Sequence, residues 1–189
     1  MLFSGLPDAP VTRDQISKLP YATVRAKIGR GQRSVLVLRR YDGGDLVWVS
    51  SDSVAFATRR GRLVKTAGLP ADLKRTEFVE PDPVATGLQE LEGDSKIGRF
   101  IDLEPGAHYG IPVESTFARA GEETIEILER TYDTILVNER NVAPLLEWEF
   151  ENQYWVAKDS GFVWRSMQHF APGWPPIELE ILKPAKAPA

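Results

Sequence analysis

The chain has 189 residues, 42% of them hydrophobic and 26% charged, enough for one domain that buries roughly 70% of its unfolded surface. Cysteine is absent, which excludes disulfides, thiolate metal sites and cysteine nucleophiles, and His108 and His169 alone do not suffice for a multi-histidine metal centre. The net charge of −4 is unevenly placed: residues 1–75 hold 14 Lys+Arg against 6 Asp+Glu, the remainder 9 against 21. That split marks either a basic surface for an anionic partner or, as is commoner, halves that pair across a sheet or a solvated surface, and the negative total argues against nucleic acid as a partner.

Residues 1–10 are unpatterned and contain proline, so they read as a flexible tether. Thr12-Arg13-Asp14-Gln15 fits a capping box opening a helix of one or two turns, with Ile16 and Leu19 apolar and Pro20 as the stop. From Tyr21 the period changes to two. Candidate strands are 22–28, 34–41, 45–50, 53–59 and 62–66, separated by turns short enough to force antiparallel neighbours. Several of them are apolar on both faces, as expected of a sheet that curves onto a core or a cavity.

Residues 67–83 read as an irregular connection punctuated by Gly68-Leu69-Pro70 and Pro81-Asp82-Pro83. Short strands are expected at 88–91 and 99–103. A further strand is expected over 109–119, with Pro112 placing it at an edge or bulge. Residues 122–139 are rich in Thr, Ile and Val, which favours two strands around Arg130 over a helix.

The stretch 144–176 carries Trp148, Trp155, Trp164 and Trp174, four of the five tryptophans. Residues 147–156 and 162–170 read as two strands about an Asp-Ser-Gly loop. Strict alternation puts Phe162, Trp164, Ser166, Gln168 and Phe170 on one face of the return strand. A Pro-rich turn at 171–176 precedes a final strand over 177–182. The expected architecture is all-β and mainly antiparallel, a curved meander closing towards a barrel or half-barrel with one short N-terminal helix. Residues 11–183 form a single domain and 184–189 a loose tail.

Two blocks give this pattern a family likeness. The segments 148–156 (WEFENQYWV) and 161–168 (GFVWRSMQ), with 47–52 (VWVSSD) and 58–70 (TRRGRLVKTAGLP) before them, resemble the YjbF/GfcB family of group 4 capsule and exopolysaccharide lipoproteins of Gram-negative bacteria. The likeness spans about residues 17–176. It implies a secreted protein held by a lipid anchor on the periplasmic side of the outer membrane. It also implies a non-enzymatic role in capsule or exopolysaccharide production or export, with secreted polysaccharide or export proteins as partners. No signal peptide or lipobox cysteine is present, so the resemblance implies a chain trimmed just after its anchor. The resemblance transfers no catalytic residue.

The residues themselves supply the candidate contacts. Trp174, Trp164 and Trp48 have flat faces suited to stacking on sugars, set against the ordinary role of tryptophan in a core. Arg59, Arg60 and Arg62 flank Gly61 at a hairpin tip and suit a carboxylated or phosphorylated ligand, set against a solvated turn. Ser166 and His169 diverge along a strand, and Asp102 with Glu104 is a weak carboxylate pair, so no catalytic residue, metal or cofactor is assigned. Asn152 and Gln168 are expected to satisfy backbone groups inside the sheet. Two alternatives remain: a lipid or lipoprotein carrier with an apolar cavity, and a polysaccharide-modifying hydrolase.

Overall fold

A computed structural model describes residues 11–91 and 93–186. The tether expected at 1–10 lies outside them, as do residues 187–189. The short helix α1 spans Arg13–Lys18, and its capping box is present: Thr12 Oγ1 accepts from Gln15 N at 3.3 Å and Gln15 Oε1 accepts from Thr12 N at 2.9 Å. Five strands follow, β1 (Thr23–Ile28), β2 (Ser34–Asp42), β3 (Asp45–Val49), β4 (Ala55–Arg59) and β5 (Arg62–Ala67). Then come β6 (Asp72–Phe78), helix α2 (Pro83–Thr86), β7 (Ser95–Glu104), β8 (His108–Ile127), β9 (Arg130–Ala143), β10 (Trp148–Ala157), β11 (Val163–Gln168) and β12 (Ile177–Lys183).

The twelve strands form one sheet in the order β5-β4-β3-β2-β1-β12-β11-β10-β9-β8-β7-β6. Every pairing is antiparallel and between chain neighbours, except that the last strand returns to the first through pairs such as Ala26↔Leu179. The sheet is thus an up-and-down meander bent nearly into a barrel, and the one interrupted ladder lies mid-chain between β5 and β6. Side chains bridge that seam: Thr66 Oγ1 donates to Asp72 Oδ1 at 2.8 Å and accepts from Leu73 N at 2.9 Å, and Thr76 Oγ1 donates to Val64 O at 3.1 Å.

Period-two alternation sorts the apolar residues into three clusters. Val24, Leu36, Trp48, Phe56, Leu73, Ile101, Val113, Phe150 and Leu179 fill one part of the interior, and Val84, Phe117, Val137, Tyr154 and Val156 fill another. The alternate residues Trp155, Ile125, Ile127 and Leu182 lie on the outer face, where α1 covers them with Ile16. Burial of each large apolar side chain contributes about 1.5–3 kcal/mol, so α1 is held by packing more than by its own six residues.

Four expectations are corrected. Residues 67–83 contain β6 and the start of α2; charged Lys74, Arg75 and Glu77 mask the strand, which borders the seam and is wet on one side. Residues 88–90 form a 3-10 turn in place of a strand. Strand β8 is internal and continuous through 108–127; Pro112 is tolerated because β8 pairs with β9 only from Glu114 onward, so its missing N–H faces no ladder partner there. On β11 a bulge breaks the alternation, since Trp155 pairs with Arg165 but Val156 with Val163. Trp164 therefore packs outward on Tyr132, with centroids 4.1 Å apart, while Val163, Ser166 and Gln168 are buried.

Gln168 fastens the two walls together. Its Oε1 accepts from Leu63 N and its Nε2 donates to Gly61 O, both at 2.8 Å. Asn152 Oδ1 accepts from His169 N at 2.8 Å. Both amides satisfy backbone groups, as expected from their type.

Candidate functional site

Four buried charged side chains, Arg62, Asp82, Arg99 and Glu139, form one cluster in the interior. Arg62, the first residue of β5, donates from Nε and Nη2 to Asp82 at 2.7 and 2.9 Å and from Nη1 to Glu139 at 3.0 Å. Arg99 on β7 donates to the other Glu139 oxygen at 3.0 Å and also bonds Ser115. Asn152 and the Tyr154 hydroxyl add donors to Glu139, each at 2.9 Å. Two cations and two anions balance, and each side chain is at most 6% exposed. Phe78, Phe117 and Tyr154 lie within 5.7 Å of the Arg62 guanidinium.

Burial opposes ionisation of Glu139, but Arg62 and Arg99 outweigh it and hold the carboxyl at about 2. Burial lowers Arg99 from the ordinary arginine value and raises the Tyr154 phenol well above its own. Burial is the largest single effect on Arg62 and lowers it, but Glu139, Tyr154 and Asp82 together outweigh it, so it ends well above the usual value. Such a quartet is costly to desolvate and is retained only with its lone pairs satisfied.

The quartet also positions α2. Asp82 is the N-cap of that helix, its Oδ1 accepting from Val84 N at 3.1 Å, and Pro83 occupies the first helical position. One carboxylate thus ties α2 to β5, and α2 with its following turn closes part of one barrel end.

At that end lies a cavity of about 580 Å³, within the range of small-molecule sites. Val24, Leu46, Trp48, Leu179 and Ile181 form its sheet wall. Ala85, Thr86 and Gln89 come from α2 and the turn after it, and the hairpin tips at 60–61 and 160–162 complete the mouth. Every charged residue lining it is basic: Arg60, Arg165 and Lys186. Arg165 is engaged with Glu180, its Nε donating to Oε1 at 2.9 Å. Among the described residues neither the Arg60 nor the Lys186 side chain has a partner. The Tyr41 hydroxyl bonds the Lys186 carbonyl, and Ala185 and Lys186 lie along the mouth.

The predicted contact residues separate. Trp48, Arg60 and Trp164 meet at this cavity. Trp48 is only 1% exposed and donates from Nε1 to Thr58 Oγ1 at 2.8 Å, so it is a wall and an anchor at once. Trp174 belongs to the opposite end, half-buried near Phe170 with centroids 6.3 Å apart. Arg59 points to Asp45 with Nε–Oδ1 at 2.6 Å, and that bond raises its pKa above the usual value. Arg62 is not at the hairpin surface at all: as the first residue of β5 it turns inward, and Asp82 and Glu139 occupy its donors.

Sequence reasoning missed α2, Gln89, Ser160 and Lys186. Asp82-Pro83 was the available signal, because an Asp before Pro marks a helix start as well as a strand stop.

The comparisons with known proteins agree with one another. The family model described as "Group 4 capsule polysaccharide lipoprotein gfcB, YjbF" matches residues 1–182. The uncharacterized lipoprotein GfcB of Escherichia coli (strain K12) is 30% identical over 178 residues, covering 94% of this chain and 83% of the relative. The lipoprotein YjbF of the same strain is 25% identical over 182 residues, 96% of this chain and 84% of that one. The crystal structure of the hypothetical lipoprotein YmcC from Escherichia coli (K12) superposes with a TM-score of 0.84 at 30% identity, covering 95% of this chain and 92% of that one.

Proposed function

The chain belongs to the family of group 4 capsule polysaccharide lipoproteins, and on that premise we propose that it is a periplasmic, outer-membrane-anchored accessory of capsule or exopolysaccharide production that acts by binding. Its partner is the secreted polysaccharide or a protein of the export machinery, engaged at the barrel mouth. The observation that carries this reading is the mouth itself: an open cavity that, among the described residues, has Arg60 and Lys186 without a side-chain partner at its edge and no carboxylate in its lining. Capsular polymers that carry carboxylate or phosphate groups match that charge.

A binding role also fits the placement of the acids. Glu139 and Asp82, both buried, are consumed by Arg62 and Arg99. A hydrolase needs one carboxyl free to give a proton and a second to take one, and the cavity offers neither among the described residues.

The reading is tested in the host. Deleting the gene is expected to reduce the amount of surface polysaccharide, and plasmid-borne wild type is expected to restore it while Arg60→Glu restores it poorly. Unchanged polysaccharide in the deletion strain would end the proposal.

A further inference from the structure

We propose that the mouth cavity binds a single-chain amphiphile with an anionic head group, the apolar chain lying inside the barrel and the head at Arg60 and Lys186. The proposal rests on the reading of the mouth as the binding face and adds the chemical class of what fills the space behind it.

Three independent features of the cavity point to that class. The first is its wall: Val24, Leu46, Leu179 and Ile181 present aliphatic surface from β1, β3 and β12, with the inward-facing Trp48 among them. Sugar hydroxyls entering such a wall would lose water without gaining enough partners, whereas a methylene chain gains from the same transfer. The second is size. A 150 Å³ apolar cavity holds one benzene, so about 580 Å³ has room for roughly twenty carbon atoms on the same scale.

The third is the charge at the edge. With Arg165 engaged by Glu180, the cations without a partner among the described residues are Arg60 and Lys186, and no described lining residue is acidic. Arg60 sits at the first position of a two-residue turn with φ 49°, followed by Gly61 at φ 102°. Asn or Gly occupies that left-handed backbone more readily than a long side chain does. The turn therefore holds an arginine where the backbone favours something else, and strain of that kind is stored where a side chain is used. Gln89 Oε1, buried at the same edge without a donor, supplies an acceptor for a hydroxyl on the head group.

The test is a titration of the purified full chain with the fluorescent fatty acid cis-parinaric acid, followed by displacement with dodecyl phosphate, dodecyl maltoside and dodecyltrimethylammonium. Saturable binding of the probe is expected, with dodecyl phosphate displacing it at roughly ten-fold lower concentration than the cationic amphiphile. Arg60→Glu should erase that preference, and Ala85→Trp, which fills the cavity from α2, should abolish binding with the far-ultraviolet dichroism unchanged. No saturable binding by the wild type, or equal displacement by all three heads, would overturn the proposal whether or not Ala85→Trp folds. Amphiphile binding without any response to oligosaccharide would instead contradict the polysaccharide reading and leave this one standing. The reverse pattern would overturn only this one.

Discussion

Glu139 carries the largest single consequence at the scale of one residue. Burial pushes its pKa up, Arg62 and Arg99 pull it further down, and the folded value of about 2 lies below the usual 4.5. A depressed carboxyl contributes stability that is complete above pH 4.5 and is lost as pH falls through 2. The contribution is about 3 kcal/mol, so urea-unfolding free energy should fall by that order across this window. Glu139→Gln should lack that acid-dependent loss and should already be less stable at pH 7 by about 3–5 kcal/mol, since it leaves Arg62 and Arg99 uncompensated. An unchanged midpoint for Glu139→Gln would show the quartet to be ornamental. Arg60 is the opposite case. Arg60→Asn relieves a left-handed arginine, so it should keep or gain up to about 1 kcal/mol of stability, while losing affinity for anionic ligands. A variant both less stable and unaltered in binding would contradict the role given to that turn.

At the scale of elements, the seam and the turn at Gly61 are the places to probe. Strands β5 and β6 meet through Thr66, Asp72 and Thr76 side chains in place of a ladder, whereas β8 and β9 share a ladder from Glu114↔Val142 to Ile127↔Arg130. Hydrogen exchange should therefore be faster along the facing edges of β5 and β6 than in the central β8–β9 pairs. Equal protection would mean a closed barrel in solution. Gly61 adopts φ 102°, and a Cβ there would meet Val163 Cβ at 2.6 Å, so Gly61→Ala should destabilise by more than about 1 kcal/mol. Much of this was legible in advance. The first five strands, the capping box and the turn before Arg130 follow from local periodicity and turn chemistry, because those signals lie within a few residues of one another. Strand β6 and the 3-10 turn at 88–90 were not legible, since charged residues at the seam dilute one pattern and the other is too short to have a period. The bulge at Trp164 depends on the register against β10, which no single strand encodes, and it takes Trp164 off the face predicted for it while Ser166 and Gln168 keep theirs.

The same limit governs the site. Arg60 and Trp164 could be nominated from residue type, but Arg62 looked equivalent to Arg60 until the closing sheet brought Glu139 to it from 77 residues away. Trp174, equally exposable on paper, belongs to the other end of the barrel. Over the whole molecule the uneven charge of the two halves is resolved by contact: Arg25 on β1 pairs with Glu180 on β12, Arg62 with Glu139, and Lys74 with Glu104. Among the described residues, what remains unpaired at the mouth is positive. The barrel thus spends its buried charges on holding α2 in place and leaves two cations at the edge of a cavity for a ligand. The most direct measurement is calorimetric titration of the purified chain with oligosaccharides cut from the host's own secreted polymer, run beside Arg60→Glu and Trp174→Ala. The account predicts saturable heat for the wild type and Trp174→Ala, and its loss in Arg60→Glu. Saturable heat that survives Arg60→Glu and disappears in Trp174→Ala would contradict it, placing the binding face at the opposite end of the barrel.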